Sequence, residues 1–463
     1  MKSEVFLLNN KSSKSIKTLS LFALTWPIFI ELLLHMLMGN ADTLMLSQYS
    51  DHAVAAVGVS NQIVSLIIVM FGFIATGTTV LVSQYLGADQ RANAGQVAVV
   101  SIVANVLFGI LLGIVIFFAA PTLLSIMGLE AHLMTEAKVY LQIVGGFIVF
   151  QAGIMTIGAI LRSHQFTKDV MYITIAINIL NVIANYFVIF GPFGLPVLGV
   201  TGVAITTAIC RMIGFIIIFY VLIKRIKDEL PFSFLKKGWP SFELKNLLRI
   251  GIPSAGEHLS YNTSQLMITY FIVLIGTDAL TTRVYTQNVM MLVLLFSLAI
   301  GQGNQIIIGY QIGAKQLDAA YKRCIKSLWI AIGFSIVIAF IFFLFSKPII
   351  GIFTDNPDII TMASTLLLLT IILEPGRAFN VVCINSLRAA GDAKFPVYLG
   401  ILSMWGVGVP LAYFLTIHVG LGLIGVWIAF IVDEWLRGVL MLWRWKQGKW
   451  REMSFIRKPQ EQG

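Results

Sequence analysis

Charged residues are scarce in this chain. They make up 12% of its 463 residues, against 58% for hydrophobic residues. Because soluble domains contain about 25% charged residues, this scarcity excludes a soluble globular protein. Cysteine is also rare: Cys210, Cys324 and Cys383 occur without the spacing of metal ligands. We therefore expect neither a disulfide framework nor a zinc site.

Several motifs of nucleotide and metal chemistry are missing. The stretch GQGN at 301–304 lacks the third glycine of a dinucleotide fingerprint, and there is no Walker A sequence, HExxH pair or DxxxD-type acidic cluster. We predict no cofactor, no bound metal and no enzymatic activity. Any uphill process in such a protein would draw its energy from an ion gradient.

Long apolar runs dominate the chain instead. A helix needs about 20 apolar residues to cross a bilayer. These runs lack period-two alternation, and lipid offers the backbone no hydrogen-bond partners, so we predict an all-α integral membrane protein. We number the predicted helices as spans 1 to 12, which cover residues 19–47, 54–85, 97–118, 140–161, 170–190, 200–223, 250–275, 284–312, 327–345, 359–387, 396–419 and 421–445.

The positive charges predict the orientation of these spans. Most of the 32 Lys and Arg residues fall on one side of the membrane, with Lys138, Arg283 and Lys347 predicted for the other. By the positive-inside rule both termini are then cytoplasmic, in a multi-pass protein of the cell membrane. The net charge of +10 indicates this topology and an attraction to anionic membrane lipid. We expect no nucleic-acid partner, and no obligate protein partner is evident.

The two halves of the chain resemble each other at an offset of 226 positions. The matched residues are Pro27 and Pro253, Glu31 and Glu257, Gly87 and Gly313, and Arg162 and Arg388. Because each half has an even number of spans, the two lobes are predicted to be parallel and related by a pseudo-two-fold axis along the membrane normal. Such duplication is typical of transporters.

The repeat predicts five segments. They are a cytoplasmic N-terminal tail (1–18), an N-lobe of spans 1 to 6 (19–223), a cytoplasmic linker (224–249), a C-lobe of spans 7 to 12 (250–445) and a basic cytoplasmic C-terminal tail (446–463).

Polar residues within the N-lobe spans indicate an ion site. A charge near the bilayer centre costs several kcal/mol, about 2.5–3.5 by insertion scales, so each one needs a reason. Glu31, His35 and Asp42 share one face of span 1. We predict an ion-coupling role for all three, although Asp42 could instead cap or pair at the helix end and His35 could satisfy a hydrogen bond. Asn181 and Asn185 of span 5 are placed to bond Asp42, or serve as ordinary interhelical contacts.

The C-lobe carries a second polar group. In span 7, glycine and Pro253 precede Glu257, with Tyr261 and Gln265 on the same face. We predict a discontinuous helix here, with its backbone facing a cavity. In span 10, Glu374 and Arg377 are three residues apart. They can pair within the helix, or Arg377 can reach Glu257.

Two further features of the C-lobe are predicted. Met290 and Met291, together with Tyr261 and Gln265, are candidates for lining a cavity, because Met-rich surfaces adapt to varied ligands. Asp433 and Arg437 of span 12 have the i,i+4 spacing of an ion pair, and we interpret them as structural neutralisation.

At these residues the chain resembles the multidrug and toxic-compound extrusion (MATE) family of bacterial transporters, over its whole length. The matching stretches are Gly39-Asn-Ala-Asp42, Ala-Val-Ala-Ala-Val-Gly58, Gln84-Tyr-Leu-Gly-Ala, Leu-Arg162, Asn181-x3-Asn185, Gly-Ile-Pro253 and Leu-Arg-Ala-Ala-Gly-Asp392. The resemblance implies two six-helix lobes in a V shape and cation-coupled export of organic, often cationic and amphipathic compounds. The first-helix aspartate of the family corresponds to Asp42.

The chain departs from the family pattern at two places. One branch of the family has an aspartate where this chain has Asn185, and another has C-lobe carboxylates at the positions of Tyr261 and Arg377. Our hypothesis is an H⁺- or Na⁺-coupled antiporter that exports organic cations and drugs by alternating access. A carboxylate in a dehydrated cleft has its pKa raised, and it can exchange a proton for a cationic substrate.

Two alternatives remain open. A lipid-linked saccharide flippase of the same superfamily would tend to have a more cationic central cavity and extra helices. An integral-membrane enzyme would need a clustered acidic metal motif. The substrate, the coupling ion, the lobe that carries it and the oligomeric state are not determined by the sequence.

Overall fold

The computed structural model describes residues 20–231 and 241–456. The predicted N-terminal tail, the middle of the predicted linker and the last residues of the C-terminal tail lie outside these ranges. Within them every regular element is a helix, as an all-α membrane protein requires.

The N-lobe contains spans 1 to 6. Span 4 is divided by a π-helical turn, so it comprises three pieces. The bounds are Leu21–Ser47 for span 1, Asp51–Gly87 for span 2, Arg91–Ile126 for span 3, Met134–Tyr140, Leu141–Gly145 and Val149–Ser163 for span 4, Thr167–Phe190 for span 5 and Gly199–Ile226 for span 6.

The C-lobe contains spans 7 to 12. Span 11 includes two π-helical turns. The bounds are Ser241–Ile275 for span 7, Thr277–Gly313 for span 8, Leu317–Leu344 for span 9, Pro357–Ala390 for span 10, Lys394–Ser403, Met404–Gly408, Val409–Tyr413 and Phe414–His418 for span 11 and Leu423–Lys446 for span 12.

Membrane-spanning character is shared by most of these helices. Among the described residues, nine helices are long and apolar enough to cross a bilayer, and span 4 makes a tenth when its two halves, which meet at 42°, are joined. Spans 7 and 12 complete the twelve predicted spans. They are less apolar because they contain acidic and basic residues such as Glu257, Asp433 and Arg437.

The predicted break in span 7 is wrong. The helix runs without interruption through Pro253, and Gly251 and Ser254 are buried. A Cβ placed on Gly251 would lie 3.5 Å from the backbone oxygen of Phe73 in span 2, which is an ordinary contact distance, so this part of span 7 packs beside span 2 as regular helix. The irregular turns lie instead in spans 4 and 11.

The lobes interlock at one end of the bundle. We call this end the base; it is where span 1 begins and spans 2 and 8 finish, and the opposite end is the mouth. A Cβ at Gly87 would overlap the backbone of Tyr310, and a Cβ at Gly313 would overlap the backbone of Gln84. The two repeat-related glycines therefore allow spans 2 and 8 to cross in contact.

Other contacts extend this interface. The Gln84 amide donates to the Ala389 carbonyl oxygen at 2.7 Å, and Phe29 meets Phe296 with ring centroids 5.5 Å apart. Toward the mouth the same helices bind within their own lobe. The Ser60 hydroxyl, for example, donates to the Ala137 carbonyl oxygen of span 4 at 3.1 Å. The lobes are thus held together at the base.

Candidate functional site

Two ion pairs occupy repeat-related positions in the lobes. In the N-lobe, Nη1 of Arg162 lies 2.8 Å from Oε1 and 3.1 Å from Oε2 of Glu31. In the C-lobe, Nη2 of Arg388 lies 2.5 Å from Oε2 of Glu257. Both pairs join residues 131 positions apart in the chain. Each links the first span of its lobe to the fourth.

The partner of Glu257 differs from our expectation. Arg377 does not reach Glu257 in this structure; it pairs within span 10, its Nη1 lying 2.7 Å from Oε1 of Glu374. Sequence reasoning treated Arg162 and Arg388 as cytoplasmic charges and missed this role. The signal was available, because the repeat offset preserves the arginine as well as the glutamate.

Asp42 lies in a network of neutral donors. As predicted, Asn185 reaches it, with Nδ2 donating to Oδ1 of Asp42 at 2.9 Å and to Oδ1 of Asn181 at 3.2 Å. The Thr206 hydroxyl of span 6 donates to Oδ1 of Asn185. Thr206 therefore orients the amide so that its N–H groups point toward the carboxylate. Sequence reasoning did not identify Thr206.

Two further ionisable groups lie near this network without forming a close ion pair. His35 is within electrostatic range of Glu31 and Arg211, and Arg211 is within range of Asp42 and Tyr140. Nη1 of Arg211 is buried and has no hydrogen-bond partner in the described part of the chain. Asp42 is thus near a positive charge and is not neutralised by direct contact.

The C-lobe carries a different and denser charge network. Arg437 lies 2.8 Å from both Asp433 and Glu434, which confirms the pairing predicted for span 12. Nε of Arg377 lies 3.8 Å from Glu434 and joins this group to Glu374. Three acids and two arginines therefore form one buried cluster.

A small cavity adjoins this cluster. Its volume is about 20 Å³, and Tyr261, Gln265 and Arg377 are among the residues that line it. Behind Gln265 is Arg283, which donates to Oε1 of Gln265 at 2.9 Å and to the Thr269 hydroxyl at 2.6 Å. Arg283 was predicted for a loop outside the membrane, and it is instead 4% exposed.

The methionine prediction is corrected in part. Met290 is 3% exposed and packs in the hydrophobic core of the C-lobe with Val289 and Trp427, so it does not line a cavity. The neighbours that the Met290 side chain faces depend on how span 8 packs against the other helices. The sequence does not specify this packing. Met291 is exposed, and its place in a binding surface stays a prediction.

Comparison with known proteins identifies the family. The MatE family model matches residues 27–187 and again residues 253–414. The two matches begin 226 positions apart, which confirms the internal repeat. The chain belongs to the MatE family.

Whole-length relatives support this membership. The chain is 58% identical over 452 residues to the uncharacterized transporter YisQ of Bacillus subtilis (strain 168), covering 97% of this chain and 99% of that protein. It is 29% identical over 439 residues to the probable multidrug resistance protein NorM of Thermotoga maritima, covering 94% of each. The protein is therefore a multi-pass membrane transporter of the MatE family.

Solved MATE structures share the fold. An outward-facing multidrug resistance MATE transporter of the MOP superfamily superposes with a TM-score of 0.85 at 20% identity, covering 92% of this chain and 95% of that one. A MATE structure in the bent conformation gives a TM-score of 0.85 at 19% identity, covering 92% of this chain and 94% of that one. The predicted architecture of two six-helix lobes is thus confirmed.

Proposed function

We propose that this MatE transporter is an H⁺- or Na⁺-coupled antiporter that exports organic, cationic or amphipathic compounds from the cell. The multidrug resistance name of the Thermotoga relative supports the substrate class. The proposal assigns the exchange of ion and substrate to Asp42.

One observation carries this assignment. Six carboxylates lie within the spans away from the helix ends, and five of them have an arginine partner within 4 Å: Glu31, Glu257, Glu374, Asp433 and Glu434. Asp42 has no such partner among the described residues and is held by the neutral amide of Asn185. A carboxylate without a fixed counter-charge can bind a proton, a sodium ion or a cationic substrate, one at a time.

The same observation separates Asp42 from the other predicted coupling residues. Breaking a buried ion pair leaves an uncompensated charge, so Glu31 and Glu257 are poor candidates for repeated loading and release of an ion. Glu374 is paired with Arg377 within span 10, so it is a poor candidate for the same reason. We propose that the ion-paired residues Glu31, Glu257, Glu374 and Arg377 stabilise the lobes. We also propose that His35, Asn181 and Asn185 support Asp42.

The packing of the lobes fits an alternating mechanism. If the base is the cytoplasmic end, as the charge distribution predicts, this conformation is closed toward the cytoplasm by the crossing of spans 2 and 8. Export would then require the lobes to rock so that the base opens and the mouth closes. Binding of the coupling ion at Asp42 from the mouth side would release the substrate.

Transport by the full-length protein in proteoliposomes tests the proposal. Efflux of a cationic dye would be measured under an imposed H⁺ gradient and, separately, an imposed Na⁺ gradient. We expect one of the gradients to drive efflux, and Asp42→Asn to reduce it to the level of liposomes without protein. Glu257→Gln should still respond to the gradient if it folds.

The matched control is Asp278→Asn, which removes an exposed carboxylate near the mouth at the start of span 8. It should transport like the unmodified protein. Gradient-driven efflux by Asp42→Asn at the unmodified rate would exclude the assigned role. Dye efflux that ignores both gradients would argue against an ion-coupled antiporter and favour the flippase alternative.

A further inference from the structure

The last described residues of the chain pack against the base of the bundle. The sequence predicts residues 446–463 to be a tail, yet residues 448–456, which we call the strap, contact the helices of both lobes. Span 12 ends before Gly448, whose φ of 73° lets the chain change direction, and a single 3-10 turn follows over Lys449–Glu452. The strap thus leaves the axis of span 12 and crosses the base.

The first part of the strap is fixed to the C-lobe. Trp450 is fully buried, and its ring stacks on that of Trp445 in span 12 with centroids 4.0 Å apart. Its indole N–H donates to the Trp445 carbonyl oxygen at 2.7 Å. Farther along, the carbonyl oxygen of Met453 lies so close to Gly391, after span 10, that a Cβ on this glycine would overlap it. The strap therefore moves with the C-lobe.

The end of the strap reaches the N-lobe. The backbone N–H of Phe455 donates to Oε1 of Gln84 in span 2 at 2.9 Å, and the Ser454 hydroxyl donates to the same oxygen at 3.2 Å. Nε2 of Gln84 at the same time donates to the Ala389 carbonyl oxygen of span 10. One amide of the N-lobe is therefore bonded both to the C-lobe and to the strap.

The ring of Phe455 fills a site to which both lobes contribute. It is 8% exposed and belongs to a hydrophobic cluster that includes Val82 of span 2, Val97 of span 3 and Leu247 of span 7. The Arg249 guanidinium of span 7 lies 5.7 Å from the ring centroid. Because the walls of this site come from different lobes, the site is complete only while the base is closed.

Opening of the base would therefore release the end of the strap. Separation of the lobes moves Gln84 away from span 10, and only residues 451–454 connect the buried Trp450 to Phe455. A segment that binds one conformation better than the other shifts the equilibrium toward the conformation that it binds. Docking of the strap thus favours the closed base, since opening returns the Phe455 ring to water.

We propose that the strap is a latch: docking of Phe455 and its hydrogen bond to Gln84 hold the base closed, and release of the strap is a step in opening it. This role rests on the rocking of the lobes proposed above. It requires neither a particular coupling ion nor a particular substrate, so it can be tested apart from transport.

Distances between spin labels on the full-length protein in detergent test the latch. Lys168→Cys in span 5 and Lys326→Cys in span 9 place one label on each lobe, at exposed positions near the base. The native cysteines are buried, so the labels attach to the introduced ones. We expect mainly the short distance of the closed base. Phe455→Ala should raise the ratio of the long-distance to the short-distance population by about tenfold.

Two further variants locate the effect. Phe455→Leu keeps an apolar side chain in the site, so the ratio should rise less than in Phe455→Ala. Glu452→Ala is the matched control, because Glu452 is an exposed residue of the same strap. It should leave the ratio unchanged. The Tm of each variant is measured as well, since a purely structural role would change Tm without changing the distances.

Two results would overturn the latch. One is a lowered Tm in Phe455→Ala with the short distance alone, and the other is an equal rise of the ratio in Glu452→Ala. If the unmodified protein shows both distances and Phe455→Ala leaves their ratio unchanged, the lobes rock without a latch and the proposed transport function stands. If Phe455→Ala opens the base of a protein that exports no cationic dye, the latch is supported and the antiporter is not.

Discussion

The N-lobe and the C-lobe share one helical scaffold and differ in how their buried charged side chains are paired. Both lobes contain the glutamate–arginine pair at equivalent positions, 131 residues apart in each. Beyond that pair, the N-lobe presents Asp42, a carboxylate that has no arginine partner within 4 Å among the described residues. The C-lobe presents a cluster in which each carboxylate has an arginine within 4 Å, beside a small cavity.

This difference shows how the two halves of a duplicated protein can keep the same structural contacts and differ in their other polar residues. Features needed to hold six helices together are kept in both halves, since each half faces the same packing problem. The polar residues beyond the shared pair have diverged, and we propose that one half keeps an ion site that the other has lost. The position that matches Asp42 in the C-lobe is Ile268, which is buried. The two lobes therefore differ in how their buried charges are paired.

The test with the largest expected effect on stability breaks the glutamate–arginine ion pair in each lobe. Arg162→Met and Arg388→Met would leave Glu31 and Glu257 without a counter-charge in sites where the paired side chains are 11–16% exposed. We expect each to lower the free energy of unfolding by about 3 kcal/mol, by similar amounts in the two lobes. Thermal unfolding in detergent measures the loss.

The double variant Glu31→Gln with Arg162→Met is the control for charge. It should recover part of the stability, because no unpaired charge stays buried. The two pairs would not be equivalent if Arg162→Met strongly lowered the free energy of unfolding while Arg388→Met left it unchanged.

A second test concerns the crossing of spans 2 and 8. Gly87→Ala and Gly313→Ala would each place a methyl group against backbone of the facing span. We expect a loss of about 1–3 kcal/mol from each, because backbone cannot move aside as a side chain can. Gly333→Ala in span 9 is the control, since an added Cβ there meets nothing within 4 Å. Equal stability of all three variants would contradict the contact at the base.

The test with the smallest expected effect concerns the N-lobe network around Asp42. Thr206→Val removes the hydroxyl that orients Asn185 toward Asp42, so the apparent affinity for the coupling ion should fall by about threefold to tenfold. Concentration dependence of efflux in proteoliposomes measures it. Thr207→Val is the matched control, because the Thr207 hydroxyl is buried without a hydrogen-bond partner in the described residues. A loss that is equal in both variants would remove Thr206 from the site.

The sequence by itself determined the class of the molecule. Twelve apolar runs predict a helical membrane protein, since lipid offers no hydrogen-bond partners to the backbone and a helix pairs these groups internally. The offset from Glu31 to Glu257 fixes two parallel lobes. Within single helices, spacing also sufficed: the Arg377–Glu374 and Arg437–Asp433 pairs follow from the helix period alone.

Only the tertiary structure decided which residues from different helices meet. Arg388 reaches Glu257 and Arg377 does not, because the relative height and rotation of spans 7 and 10 depend on packing across the whole lobe. For the same reason Met290 turns into the core and Arg283 is buried behind Gln265. Helix periodicity places a residue on a face, and the packing of the bundle determines what that face contacts.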